Sequence, residues 1–234
     1  MNTTDAPVRP PPTVAKTLSA RPYMWPYHGS LDPRRTALVA CVDRRWRLPG
    51  TDSDERDSRL GQIARAVRAS GGFVVALTAT TGPPVGRRPV FSMTPGAGPD
   101  GRPGPGPQTA GPQIAWPESG WPESALAVLV PDATLEAGAT NGFYSSRLDD
   151  VLRANGRTDI IVAGWGLEGP VHSTLRSGND RGYECLLVAD ASTPLDPDLV
   201  FGSCEMVRFS GGIFGAFADT ADVVAALGGD PAIT

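Results

Sequence analysis

Asp43 stands at the carboxyl end of an apolar run, Thr36-Ala37-Leu38-Val39-Ala40-Cys41-Val42, and Arg45 follows two residues later. A carboxyl group held where a buried strand meets solvent is open to tuning. Desolvation raises its hold on a proton and neighbouring arginines lower it, so it can serve as a general acid or base. It can equally cap the turn that follows. Arg45 can clamp an anionic group with its planar fork, or stay solvated. A second group of candidates lies in Ile160-Ile161-Val162-Ala163-Gly164-Trp165-Gly166-Leu167-Glu168-Gly169-Pro170-Val171-His172-Ser173-Thr174. There a β-branched run ends in glycines and Pro170 is expected to open a helix. His172 falls in the first turn of that helix. A helix N-terminus disfavours the imidazolium, leaving a neutral ring to act as base or donor, or simply to pack. Glu168 sits in the turn as a further acid/base candidate or a solvated loop residue. Trp165 can wall a flat apolar ligand or fill the core. The chemistry these residues suit is proton transfer.

The elements that must position them are legible as repeated β-α units. After the first strand and a polar loop, Asp57 or Ser58 can cap a helix with Leu60, Ile63, Ala64 and Val67 on one face. Phe73–Thr78 reads as a second buried strand, which makes a parallel pair with the first. Residues 81–124 are a Gly- and Pro-rich insertion containing Phe91, Met93, Trp116 and Trp121. It is either a lid or a floppy excursion. Leu126–Val130 reads as the third strand, Ser145–Asn155 as a helix and Ile160–Gly164 as the fourth strand. A helix from Pro170 to about Asp180, a strand over Cys185–Asp190, a helix near Asp198–Arg208 and a short strand Ile213–Phe217 follow. Thr220 can cap a last helix carrying Val223, Val224 and Leu227. The expected fold is α/β, a doubly wound parallel sheet of about six strands with helices on both faces. Residues 1–35 form a Pro-rich aromatic arm, whose Tyr23, Trp25 and Tyr27 pack on the domain or a partner subunit. Residues 36–234 form the domain.

Composition excludes several classes. A net charge of -4 argues against nucleic acid or an anionic membrane as partner. No apolar run approaches the roughly 20 residues of a membrane span, and the N-terminus lacks a signal peptide's apolar core, so a cytoplasmic location is expected. The cysteines Cys41, Cys185 and Cys204 are widely spaced, and with only His28 and His172 they form no metal-binding pattern. Neither metal nor cofactor is expected. Lys16 is the single lysine among 21 basic residues, which with the abundance of Ala, Gly and Pro suggests a GC-rich genome.

Four stretches resemble the isochorismatase-like, or cysteine-hydrolase, superfamily, and most closely its phenazine and siderophore isochorismatase branch. They are Leu31-Asp32-Pro33-Arg34-Arg35-Thr36-Ala37-Leu38-Val39 running to Asp43, Asn141-Gly142-Phe143-Tyr144-Ser145-Ser146-Arg147-Leu148, Val162-Ala163-Gly164 through Ser173-Thr174, and Arg181-Gly182-Tyr183-Glu184-Cys185-Leu186-Leu187-Val188-Ala189-Asp190-Ala191. The resemblance covers residues 31–228. It implies the doubly wound fold and a site built from an Asp, a Lys and, in the amidohydrolases, a Cys. The Asp corresponds to Asp43. The Lys position falls on Ala137, beside Glu136, and the Cys position on Pro170. Phe143, in the second motif, and Glu136 become candidate substrate contacts with Arg45 and Trp165. Assembly as a homodimer or homotetramer is also implied.

The departures change the expected chemistry. Proline has neither a nucleophilic side chain nor a backbone N–H, so covalent catalysis is lost at that position and an oxyanion hole there is weakened. Arginine is a poor substitute for a proton-transferring lysine, because its pKa stays above about 12. The expected function is therefore acid/base chemistry on a small cyclic substrate of secondary metabolism: an elimination, isomerisation, cyclisation or non-covalent hydrolysis. Asp43 is its general acid or base, with His172 or Glu168 assisting. The rival reading is an inactive relative that binds a small molecule or partner. A third is residual vinyl-ether hydrolysis of isochorismate-like diacids.

Overall fold

The computed structural model describes residues 17–47, 53–79 and 123–228, with the side chains of Arg45, Ser53 and Ala79 outside that description. The insertion expected at 81–124, with its four large apolar residues, lies almost wholly outside the described residues, as do Lys16 and the first part of the arm.

Six strands form one parallel sheet: β1 (Thr36–Cys41), β2 (Phe73–Ala79), β3 (Ala133–Ala137), β4 (Asp159–Trp165), β5 (Glu184–Thr193) and β6 (Ala216–Ala218). Their order is β3-β2-β1-β4-β5-β6. Between them run α1 (Ser53–Ala69), α2 (Glu123–Leu129), α3 (Leu148–Ala154), α4 (His172–Asp180), α5 (Val200–Gly212) and α6 (Thr220–Ala226). β1 and β4 are buried along their whole length, as their unbroken apolar runs require. Side chains alternate between two cores. Leu38, Ala40 and Val42 meet α1 and α6 through Ile63, Val67 and Val223. Ala37, Val39 and Cys41 meet α3, α4 and α5 through Leu148, Leu152, Leu175 and Val207.

The third strand is a correction. Leu126–Val130 is not a strand: it belongs to α2, and the strand beside β2 is Ala133–Ala137. A five-residue apolar run has no decisive period. Here Ala125, Leu126 and Leu129 meet the core at helical spacing, while Val128 is 45% exposed. The actual strand lies at the sheet edge, partly exposed along its length until Ala137. Smaller corrections follow the same logic of local ambiguity. α1 begins at Ser53, so Asp57 and Ser58 lie inside it. α3 starts at Leu148, because Ser145 adopts a left-handed φ of 47°. The sixth strand is Ala216–Ala218, and Ile213 is exposed. Pro170 does not open α4 but sits inside a five-residue π-helical turn, Leu167–Val171, and the helix begins at His172.

The described part of the arm packs against the amino ends of the strands. Trp25 is fully buried and pairs with Leu18, and Arg21 bridges to Phe217 on the edge strand. The Tyr23 hydroxyl donates to Glu184 Oε1 at 3.1 Å. His28 Nε2 lies 3.3 Å from Asp159 Oδ1 at the start of β4. Tyr27 remains largely exposed.

Candidate functional site

The strand order reverses between β1 and β4: chain segments leaving β1 build the sheet toward one edge, and β4 starts the other. Such a switch point opens a crevice beyond the carboxyl ends of the two strands. Asp43 follows β1 into it, and the Gly166–Val171 turn follows β4. Gly164 lets the two strands meet there. Its φ is +124° and any Cβ would strike the Cys41 backbone.

A cavity of about 10 Å³ lies at this point, lined by Asp43, Ala137 and Pro170 together with Cys41, Trp46 and Thr78. The three positions that the resemblance aligns with the family's Asp, Lys and Cys thus converge, although they come from the ends of three different strands. The volume suits one water molecule. Asp43 is 3% exposed, and it and Cys41 are the ionisable side chains among the described lining residues.

The turn is held tightly. Gly166 takes φ +79°, and a Cβ there would lie 2.7 Å from Pro170 Cδ and 3.0 Å from Trp46 Cβ. Trp46, at the end of the short turn Arg44–Trp46, lies across it, and a Cβ on Gly169 would meet its ring at 2.8 Å. The N–H groups at the carboxyl side of the turn are consumed internally. Those of Gly169 and Val171 donate to the Gly166 carbonyl at 3.1 and 3.2 Å. That of His172 reaches the Leu167 and Gly169 carbonyls, and Pro170 has none. Residues 169–172 therefore offer no backbone donor to an anion in the cavity. Cys41 is poorly placed to act as a nucleophile. Burial, aided by the Asp43 carboxylate, pushes its thiol up to about 12 despite a hydrogen bond with Thr174, so it is protonated at neutral pH.

Of the candidate catalytic and substrate-binding side chains among the described residues, only Asp43 lines the cavity, and the side chain of Arg45 lies outside the described residues. Glu168 is turned away: its two carboxylate oxygens accept the N–H of Leu195 at 2.8 Å and of Asp196 at 3.1 Å, pinning the turn to the segment after β5. His172 points to α5. Burial chiefly, then Arg176, lowers its pKa against a hydrogen bond at the Ser203 backbone. Trp165 faces the α1 side of the sheet, where its indole N–H donates to Asp57 Oδ1 at 2.6 Å and the Arg47 guanidinium lies 5.6 Å from its ring. Phe143 is core, packed against Tyr183 at 5.6 Å between ring centres and under Arg181. Glu136 is exposed, on the face of β3 opposite Ala137. Sequence reasoning missed Trp46 and Thr78. For Thr78 a signal existed: a polar residue ending an apolar strand next to the first strand. For Trp46 there was none, since its position depends on how the loop after Asp43 folds back. Among the described residues no three of His, Cys, Asp and Glu come together to hold a metal ion. No described helix is long and apolar enough to cross a membrane.

A six-stranded, doubly wound α/β sheet with an acidic residue and a turn facing each other at the switch point defines the class of protein. The chain belongs to the isochorismatase family of hydrolases: the family model described as "Isochorismatase domain" matches residues 45–222. Among curated relatives, the ureidoacrylate amidohydrolase RutB of Methylorubrum extorquens is 34% identical over 102 residues, which is 43% of this chain and 40% of that protein. The match thus spans less than half of the relative's length. Among solved structures, a cysteine hydrolase from Pseudomonas syringae pv. phaseolicola superposes with a TM-score of 0.59 at 20% identity, covering 84% of this chain and 94% of that one. An isochorismatase family protein from Burkholderia thailandensis does so with a TM-score of 0.59 at 24% identity, covering 84% and 97%. These structures share the fold.

Proposed function

We propose that this chain is an isochorismatase-family hydrolase that has abandoned the covalent route and works by acid/base chemistry through Asp43. The observation that carries this reading is the composition of the one place where the family positions converge. Asp43 is kept there while Ala137 and Pro170 supply neither a cation nor a nucleophile. A buried carboxylate beside apolar walls can accept a proton from water, or pass one to a leaving group. The similarity of its motifs to phenazine and siderophore isochorismatases supports a small cyclic substrate of secondary metabolism.

The test is a mass-spectrometric screen of the purified chain against isochorismate, ureidoacrylate and small cyclic ethers and lactones. Turnover is expected to fall by about 10²- to 10⁴-fold in Asp43→Asn. It is expected to survive in a variant with all three cysteines replaced by alanine. Unchanged turnover in Asp43→Asn, with the fold intact by circular dichroism, removes the role of Asp43. Loss of turnover in a folded cysteine-free variant removes the non-covalent route.

One observation favours a second reading, a catalytically inactive binder: the cavity beside Asp43, of about 10 Å³, is the size of one water. Tight association of a screened compound without product over a long incubation is its mark.

The homodimer or homotetramer that the family resemblance implies is proposed to form through α5 and the residues flanking it. Leu199, Phe201, Met206, Phe209 and Ile213 are each more than half exposed. They present on the order of 500 Å² of apolar surface, over half of the roughly 800 Å² per partner of a standard interface. The only charges between Leu199 and Phe214, Glu205 and Arg208, pair with each other at 2.7 Å. A second copy of this acidic chain therefore meets no like charge there.

A further inference from the structure

We infer that Thr78 is a positioning residue, and that its hydroxyl and the Asp43 carboxylate together hold a single ordered water, the nucleophile of the proposed hydrolysis. The inference rests on that reading of the site and adds what the reading lacks, a means of placing the attacking oxygen.

Thr78 is the penultimate residue of β2, whose neighbour β1 runs directly into Asp43. It is 5% exposed, and its Oγ1 is buried without a hydrogen-bond partner among the described residues. Buried hydroxyls are almost always partnered, and leaving one bare carries the full cost of its desolvation. The same hydroxyl-bearing side chain lines the cavity with Asp43 and Cys41. Thr140 adds a second hydroxyl-bearing residue to the lining, and Leu77, Ala137, Ala139 and Pro170 are apolar. A space of about 10 Å³ with both polar and hydrocarbon walls accommodates one water and little else. A water bonded to Thr78 Oγ1 and the Asp43 carboxylate satisfies the orphaned hydroxyl. It also leaves a lone pair directed away from both groups, where an electrophilic carbon would approach.

In the hydrolysis this implies, the water oxygen forms the new bond to carbon as Asp43 takes one of its protons. The bond to the leaving group then breaks, and the leaving group departs with the proton that Asp43 returns. Water supplies both the oxygen and the hydrogen added to the products, so no other co-reactant is required. Thr78 contributes geometry and takes no proton. A valine of nearly the same shape removes its hydroxyl without changing the packing, whereas serine keeps the hydroxyl.

The experiment is crystallographic, at a resolution that shows ordered waters, on the full chain and its Thr78→Val, Thr78→Ser and Asp43→Asn variants. The wild type is expected to show one oxygen within hydrogen-bond distance of both Thr78 Oγ1 and the Asp43 carboxylate. Thr78→Ser should retain it and Thr78→Val should lose it, with the fold of both variants checked by circular dichroism. No such oxygen in the wild type, or one that keeps its place in Thr78→Val, overturns the inference. The readout needs no substrate. An idle Asp43 in the turnover screen, with the water present and dependent on Thr78, would refute the catalytic reading while leaving this site intact.

Discussion

Glu168 lies in the turn that carries Pro170, and whether it serves catalysis or architecture can be decided by one substitution. Its carboxylate accepts the N–H of Leu195, a half-buried bond of 2.8 Å, and the more exposed N–H of Asp196 at 3.1 Å. In Glu168→Ala both donors lose their partner. A hydrogen bond to a charged group contributes about 1.5–3 kcal/mol, and the Leu195 N–H, shielded from water, feels most of that. The Asp196 N–H can turn to solvent, so its loss costs no more than about 1 kcal/mol. The sum is about 2–4 kcal/mol, which for a domain of this size lowers Tm by roughly 4–16 °C. Glu168→Gln keeps one acceptor oxygen and two hydrogens that no N–H can bond, and should fall between. The assay is thermal unfolding followed by circular dichroism at neutral pH, with turnover measured well below each variant's Tm. The expected result is a large loss of Tm with turnover kept in Glu168→Gln. A Tm within a degree of wild type in Glu168→Ala, or an abolished turnover in a stable Glu168→Gln, would refute the structural assignment.

The remaining predictions concern pH and assembly. Burial lowers the pKa of His172 in the folded chain below its ordinary value. The folded state therefore binds its proton less tightly than the unfolded one. The resulting stability is present above the unfolded pKa of about 6.5 and is lost as pH falls through the folded value. Tm should drop on acidification from pH 7 toward pH 5, and His172→Gln should flatten that part of the profile; an equal slope in both proteins counts against it. On α5, Phe201→Asp combined with Phe209→Asp should convert a dimer to a monomer in light scattering at micromolar concentration without loss of helix content. A wild-type chain that is monomeric under the same conditions would dismiss α5 as the interface.

Much of the fold was written in the order of residues. Uninterrupted apolar runs such as Leu38–Val42 and Ile160–Ala163 mark strands covered on both faces, because no solvated strand tolerates them. Their alternation with amphipathic segments leaves a parallel sheet as the natural outcome. Asp43 could be chosen on the same ground, since a carboxyl at the end of a central strand must face the crevice. The edge was less legible. The run Leu126–Val130 carries no decisive period, and only its packing on α1 made it a helix, with the strand role passing to Ala133–Ala137.

The site depended on information that local sequence does not hold. Which side of the sheet a side chain faces, and what lies opposite it, is set by register and by the path of loops. Trp165 and Cys41 stand at the ends of adjacent central strands, yet Trp165 turns to α1 and Cys41 to the cavity. Glu168 and His172 flank Pro170 in sequence, but the π-helical turn sends one to the segment after β5 and the other to α5. Residue types and order determined the family, the sheet and the presence of Ala137 and Pro170 at two positions of the proposed site. Tertiary structure alone decided that those positions meet at Asp43 in a space the size of one water, with Thr78 among its polar walls, because that meeting joins strand ends far apart in the chain.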